Sequence, residues 1–260
     1  MGAQLFKMKK SYNVPAVEKA VLILEYITHS EGGRSLRDIH TDLNIAKTTV
    51  FSTLMTLTEC GFVRKSSDGL YLPTLKLTML GAKARSFAYD SNFVRPRLEV
   101  LRDKTGFTVF FCSYDKGELF VLEKIDGFSG VIFQTNVEQR KHINTSGSGK
   151  AMAAFINPTE LQAVLDKGLK KLTENSICEE EAFLQHLEEI RKQGYAFDDN
   201  EGEMGVRCIG APVFMYNGIV YGAVSVSTLS EKLLLSDVSK YAKMVQEVAD
   251  DISRSLGYAP

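Results

Sequence analysis

The sequence contains no run of about 18 apolar residues, the length a membrane-crossing helix needs, so no membrane partner is expected. Its opening residues, Met1 to Lys10, lack a long apolar stretch followed by a small-residue cleavage site, and do not read as a secretory signal. Cysteine is scarce. Cys60, Cys112, Cys178 and Cys208 are the four in 260 residues, far apart and with no C-x-x-C pair. That argues against a disulfide framework and fits reduced thiols in a cytoplasmic protein. There is no low-complexity tract and no repeat of fixed period, and no bias toward disorder or a fibre. Tryptophan is absent, which excludes nothing. Net charge is almost absent too, at −1, and taken alone that speaks against nucleic acid.

The chain is 44% hydrophobic and 24% charged, enough for real cores, and its length suggests about two domains. The charge divides unevenly. Residues 1–85 hold 12 Lys+Arg against 7 Asp+Glu, and residues 86–260 hold 19 against 25. A basic third followed by an acidic remainder predicts two domains with different partners. The helical pattern fades near residues 86–92. The expected division is residues 1–74, a linker helix over 75–90, and residues 91–260.

In the basic third, Val17, Ala20, Val21, Leu24 and Ile27 fall at helical spacing, predicting a helix over 15–29 with Pro15 in its first turn. Ser35 precedes Asp38 by three, a capping-box start for a helix over 36–43. A third helix spans 46–60 and stops at Gly61. Phe62–Lys65 and Leu70–Leu72 read as strands joined by Ser66-Ser67-Asp68-Gly69. A helix through Leu75, Leu77, Leu80 and Ala84 follows Pro73. This order is that of a winged helix-turn-helix. The third helix leaves Lys47, Thr48, Thr49, Ser52, Thr53 and Thr56 for solvent, where short hydroxyl side chains suit phosphates and base edges in a major groove. Arg64 and Lys65 on the wing suit phosphate. The competing reading is a small helical domain with an ordinary polar surface.

The remainder predicts an α+β domain. Helices are expected up to Thr105, over 148–156, 158–166 and 179–193, and from near Ser236 to Leu256. Strands are expected over Phe107–Tyr114, Leu119–Lys124, Val131–Thr135, 208–216 and 219–228, the last two joined by Asn217-Gly218.

Val14-Pro15-Ala16-Val17-Glu18-Lys19-Ala20, Ala46-Lys47-Thr48-Thr49-Val50 and Leu57 with Glu59, Gly61 and Phe62 resemble the IclR family of bacterial transcriptional regulators. So do Gly194-Tyr195-Ala196-Phe197-Asp198-Asp199-Asn200-Glu201, Gly205–Val213, Ala223–Ser227 and Asn144–Ala151, and the resemblance runs end to end. Two positions depart from that family's pattern. Phe51-Ser52 stands where a basic residue is common, and Pro73 where glycine is common. The resemblance implies a homodimeric or homotetrameric repressor or activator of operator DNA, with a GAF-like effector domain. It maps the effector pocket onto Gly147, Ser148, Asp198, Cys208, Ser225 and Ser227, with Phe133 and Val206 as apolar walls.

The residues add a physical case. Ser146-Gly147-Ser148-Gly149 before an Ala-rich helix offers backbone N–H groups for a carboxylate. Ser225 and Ser227, two apart on a strand, point to one face. A small organic acid is the expected effector, with Asp198 suited to a hydroxyl or hydrated carbonyl. The alternative is that these hydroxyls and Cys208 only satisfy local hydrogen bonds in a core. A rival function is a thiol-based redox sensor or enzyme using Cys208, and another is a domain for assembly alone. No enzyme, cofactor or metal is expected. Asp198, Cys208 and His142 lack metal-motif spacing. Ser146–Lys150 fails as a P-loop because Asn144 and Ala151 occupy its Gly and Ser/Thr places.

Overall fold

The computed structural model describes residues 14–30, 32–88, 91–115, 118–128, 133 and 140–259, with the backbone alone at 85–88 and 140. The opening residues Met1 to Lys10 lie outside this set. So do the turn residues Lys116 and Gly117, part of the expected boundary at 86–92, and the expected strand Val131–Thr135 apart from Phe133. The chain forms two compact units, residues 1–88 and 89–260.

The first unit holds α1 (Pro15–Thr28), α2 (Leu36–Asp42), α3 (Lys47–Glu59), β1 (Val63–Lys65), β2 (Tyr71–Pro73) and α4 (Leu75–Ala88). Pro15 begins α1, where its missing N–H costs nothing. Ser35 and Asp38 close the expected capping box on α2, with Ser35 Oγ accepting from the Asp38 N–H at 3.2 Å and Asp38 Oδ2 accepting from the Ser35 N–H at 3.1 Å. Asn44, at φ 52°, makes the tight connection to α3. Ile23, Ile27, Ile39, Val50, Leu54 and Tyr71 form the core of this unit. In the wing, β1 and β2 pair antiparallel, and the Ser66 N–H donates to Leu70 O at 2.8 Å to close the hairpin.

The second unit begins with α5 (Ser91–Thr105), β3 (Thr108–Asp115), β4 (Glu118–Ile125) and β5 (Arg140–Lys141), followed by α6 (Gly147–Ala153), α7 (Pro158–Asp166) and α8 (Glu180–Gln193). It ends with β6 (Ala196–Asp199), β7 (Val206–Phe214), β8 (Val220–Leu229), a 3-10 turn at Leu235–Asp237 and α9 (Val238–Ser255). The strands form one antiparallel sheet in the order β5-β4-β3-β8-β7-β6. Side chains alternate between its faces. Val109, Phe111, Ile209, Ala211, Val224 and Val226 pack against α5 and α9. Phe110, Cys112, Leu119, Val121 and Ala223 pack against α6, α7 and α8.

Three elements differ from expectation, one of them the two-residue β5, for which no strand was expected. β6 was not anticipated, because Asp198-Asp199 are types depleted in strands. Its pairing with β7, Ala196 to Gly210 through Asp199 to Arg207, is non-local and holds it in place. α6 begins at Gly147 and stops at Ala153, short of the expected residue 156. Gly194, at φ +77°, ends α8 as the sequence suggests.

Candidate functional site

The face of the second unit toward α6 carries a cavity of about 290 Å³. Strand register explains its position. Asp198 pairs with Cys208, Cys208 with Ser227, and Ser227 with Thr108. These four residues make one rung across β6, β7, β8 and β3, and alternation sends their side chains to the same face. The next rung inward is Ala196, Gly210, Ser225 and Phe110. Helix α6 lies directly over it. A Cβ on Gly210 would meet Gly147 O at 2.4 Å and Ser148 N at 2.7 Å. Glycine at 210 therefore lets helix backbone sit on strand backbone, and the cavity ends there.

The placement of each expected pocket residue follows. Phe133, Asp198, Val206, Cys208 and Ser227 line the cavity. Gly147, Ser148 and Ser225 do not. They lie on or beneath the closed rung, with Ser148 and Ser225 only 2% and 3% exposed. The backbone N–H groups expected to be free for a carboxylate are partly used, since Ser146 Oγ accepts from Gly149 N–H at 3.1 Å and Ser146 O from Lys150 N–H at 2.9 Å. Ser146 of the expected carboxylate-binding stretch and His142, weighed only as a metal ligand, also line the cavity, and Lys141, Thr145, Leu172, Gly202 and Glu203 do so without having been marked in the sequence reading of the pocket. They come from β5 and from loops, where no periodic pattern signals a site.

Asp198 is 3% exposed. Oδ1 accepts from the Glu201 N–H at 2.8 Å. Burial nonetheless pushes its carboxyl above the usual range, against the lowering influence of Lys150. Ser227 Oγ donates to Cys208 Sγ at 3.0 Å. Burial and the Asp198 charge raise the Cys208 thiol far from ionisation. A thiol held protonated is a poor nucleophile. The Lys141 ammonium, also in the lining, lies 4.5 Å from the Phe110 ring centre, and no carboxylate among the described residues pairs with it. Burial, then the nearby Lys170, depresses His142, which favours its neutral form.

Behind the cavity Lys150 is fully buried. Its Nζ donates to Phe197 O at 2.6 Å and to the Glu201 carboxylate. This pair ties α6 to the turn after β6 and so sets the distance between two cavity walls. A lysine inside Gly-Ser-Gly-Lys-Ala-Met-Ala was the signal available in the sequence, since a charge in a small apolar helix needs a buried partner. Among the described residues no group of three His, Cys, Asp or Glu could hold a metal ion.

In the first unit, α3 turns Val50, Leu54 and Leu57 inward. Lys47, Thr48 and Ser52 are exposed, and Thr49 and Thr53 half-buried. Ser52, Thr53 and Thr56 edge an apolar groove against α1. Arg64 and Lys65 are exposed on the wing, with Lys65 Nζ 5.6 Å from the Tyr71 ring centre. Phe51 and Met55 are both exposed on α3; Met55 was not marked in advance, and Phe51 only as a departure from the family's pattern. Among the described residues no helix is long and apolar enough to cross a membrane.

Residues 91–254 match the model of the bacterial transcriptional regulator IclR C-terminal family, and residues 16–67 match the IclR helix-turn-helix domain. The chain is 29% identical to the HTH-type transcriptional regulator XynR of Escherichia coli (strain K12), over 94% of this chain and 98% of that protein. It is 27% identical to the HTH-type transcriptional regulator KdgR of the same organism, over 96% and 95% of the two. The crystal structure of the Thermotoga maritima IclR superposes with a TM-score of 0.73 at 30% identity, covering 94% of this chain and 99% of that one.

Proposed function

The chain belongs to the IclR family of bacterial transcriptional regulators, and from that premise we propose which of its residues meet DNA and which meet the effector. The protein is a DNA-binding regulator with an N-terminal helix-turn-helix domain and a C-terminal effector domain. Helix α3 lies in the major groove with Lys47, Thr48, Thr49, Ser52 and Thr53 toward it, and Arg64 and Lys65 contact the phosphate backbone. It acts as a repressor in the cytoplasm and is not an enzyme. Copies associate as a dimer or a dimer of dimers, which is supported by the exposed Leu75, Met79 and Leu80 on α4.

The observation that carries the effector reading is a cavity whose lining combines the cation of Lys141 with the buried polar Asp198, Cys208 and Ser227. Its volume stands at the small end of the roughly 300–1,000 Å³ typical of ligand pockets. A small organic acid fits it. The carboxylate meets Lys141, a hydroxyl or hydrated carbonyl meets Asp198 and Ser227, and the carbon skeleton rests on Phe133 and Val206. The redox or enzymatic reading of Cys208 gains no support, because its thiol is buried and held protonated. Effector binding changes DNA affinity only by binding two conformations unequally.

A thermal-shift screen of hydroxy and oxo carboxylates on the full chain tests the assignment. Asp198→Ala with Ser227→Ala should abolish the ligand-induced shift and the ligand-dependent change in DNA binding, while DNA binding itself persists. A double variant that still responds like the parent would sink the pocket assignment.

A further inference from the structure

We infer that the operator is read chiefly through thymine 5-methyl groups packed against Phe51 and Met55, which rests on the reading that α3 lies in the major groove. Val50 and Leu54 are fully buried and point α3 inward. At about 100° per residue, Thr48, Phe51, Ser52 and Met55 share the outward arc. Phe51 is 53% exposed and Met55 44%. Two large apolar side chains thus stand in water on the face that meets bases.

Beyond Lys47, the long side chains that read base edges by hydrogen bonding are missing from the same face. Residues 48–58 include no Arg, Lys, Asn, Gln, Asp or Glu, the types that pair with guanine, adenine or cytosine edges. Three of the hydroxyl protons on α3 are held by its own backbone. Ser52 Oγ donates to Thr49 O at 3.1 Å, Thr56 Oγ1 to Ser52 O at 3.1 Å and Thr58 Oγ1 to Leu54 O at 2.7 Å. The largest contact surface offered by this arc is that of Phe51 and Met55. In the major groove the apolar group that distinguishes one base from another is the thymine methyl. Charge selects the same occupant. Residues 43–58 carry no acid, and exposed Lys47, Arg64 and Lys65 belong to the same unit. A polyanion with a methyl-studded groove complements this surface, and an acid-free, cation-flanked face discriminates little among apolar proteins.

The test uses the full chain and duplexes it selects from random-sequence double-stranded DNA. The selected duplex is remade with each thymine replaced by uracil, which removes only the methyl. The expected outcome is a motif with thymines at the central major-groove positions of each half-site. Uracil at a contacted position weakens the parent protein roughly fourfold per methyl. Phe51→Ala with Met55→Ala binds more weakly and is indifferent to uracil. Both side chains are exposed, so the variant folds, which circular dichroism checks. Uracil without effect on the parent protein, or equal uracil sensitivity in the double variant, overturns the inference. So does a double variant that loses only self-association in sedimentation, which would place the pair against a second copy. Lys47→Ala with Arg64→Ala on the same duplex separates the two levels. If it leaves binding intact, the placement of α3 on DNA fails and the thymine readout fails with it. If it weakens binding while uracil is harmless, the thymine readout alone fails.

Discussion

Lys150→Met tests whether the buried ammonium behind the cavity holds the effector unit together. The lysine is fully buried, and Glu201 is 5% exposed. Methionine keeps most of the stem's volume and removes the charge. Glu201 then has no counter-charge, and its Oε2 already lacks a partner among the described residues. The Phe197 carbonyl loses a donor at 2.6 Å. Breaking a buried ion pair by removing one partner costs about 3–5 kcal/mol. For a unit of this size about 1 kcal/mol corresponds to roughly 2–4 °C, so the melting temperature should fall by roughly 6–20 °C. Lys150→Met with Glu201→Met should recover more than half of the loss, because an apolar pair of similar volume substitutes well for a buried ionic one.

The deficit should also depend on pH with a definite sign. Burial raises the carboxyls of Glu201 and Asp198, and Lys150 opposes both shifts, so removing it raises both further. A carboxyl raised on folding contributes stability that is complete below its unfolded value, about 4, and is lost as pH rises through the folded value. The variant's deficit is therefore smallest near pH 4–5 and largest at and above neutrality. Thermal melts of the parent, single and double variants across that range measure it. A deficit below about 1 kcal/mol, one that is flat with pH, or a double variant no better than the single would refute the reasoning.

Two further outcomes follow from the same rung. Asp198→Asn keeps an oxygen to accept the Glu201 N–H and removes a poorly solvated charge. It should raise stability by about 0.5–2 kcal/mol at pH 8 and by nothing near pH 4, read by thermal melts, while weakening effector response. In the native protein the exposed Cys60 should react promptly with a disulfide reagent at pH 8, and Cys208 only at the rate at which the unit opens. Prompt modification of Cys208, located by peptide mass mapping, would restore the case for thiol chemistry.

Much of the fold was legible because it is local. The capping box at Ser35 and Asp38, Pro15 at the start of α1, the Asn217-Gly218 connection and Gly194 after α8 each act within a few residues. The ordered helices and basic wing of the first unit follow from such signals. β6 was not legible, because its residues disfavour strands and only pairing with β7 holds them. The site was half legible. The period-2 rule placed Ser225 and Ser227 on one face, and both are on it. Only the register of four strands and the seat of α6 on Gly210 decide that Ser227 meets the cavity and Ser225 does not.

The sequence alone determined that a basic third with the order of a winged helix-turn-helix precedes an acidic α+β remainder. Composition, spacing and turn chemistry are properties of the chain read in order. The tertiary structure decided which polar groups converge. Lys141 and Asp198 line one cavity, Lys150 pairs with Glu201, and Phe51 and Met55 stand outside the core of their unit. Those meetings join residues far apart in the chain, or choose one face of a helix over another. Packing makes that choice, and no local preference encodes it.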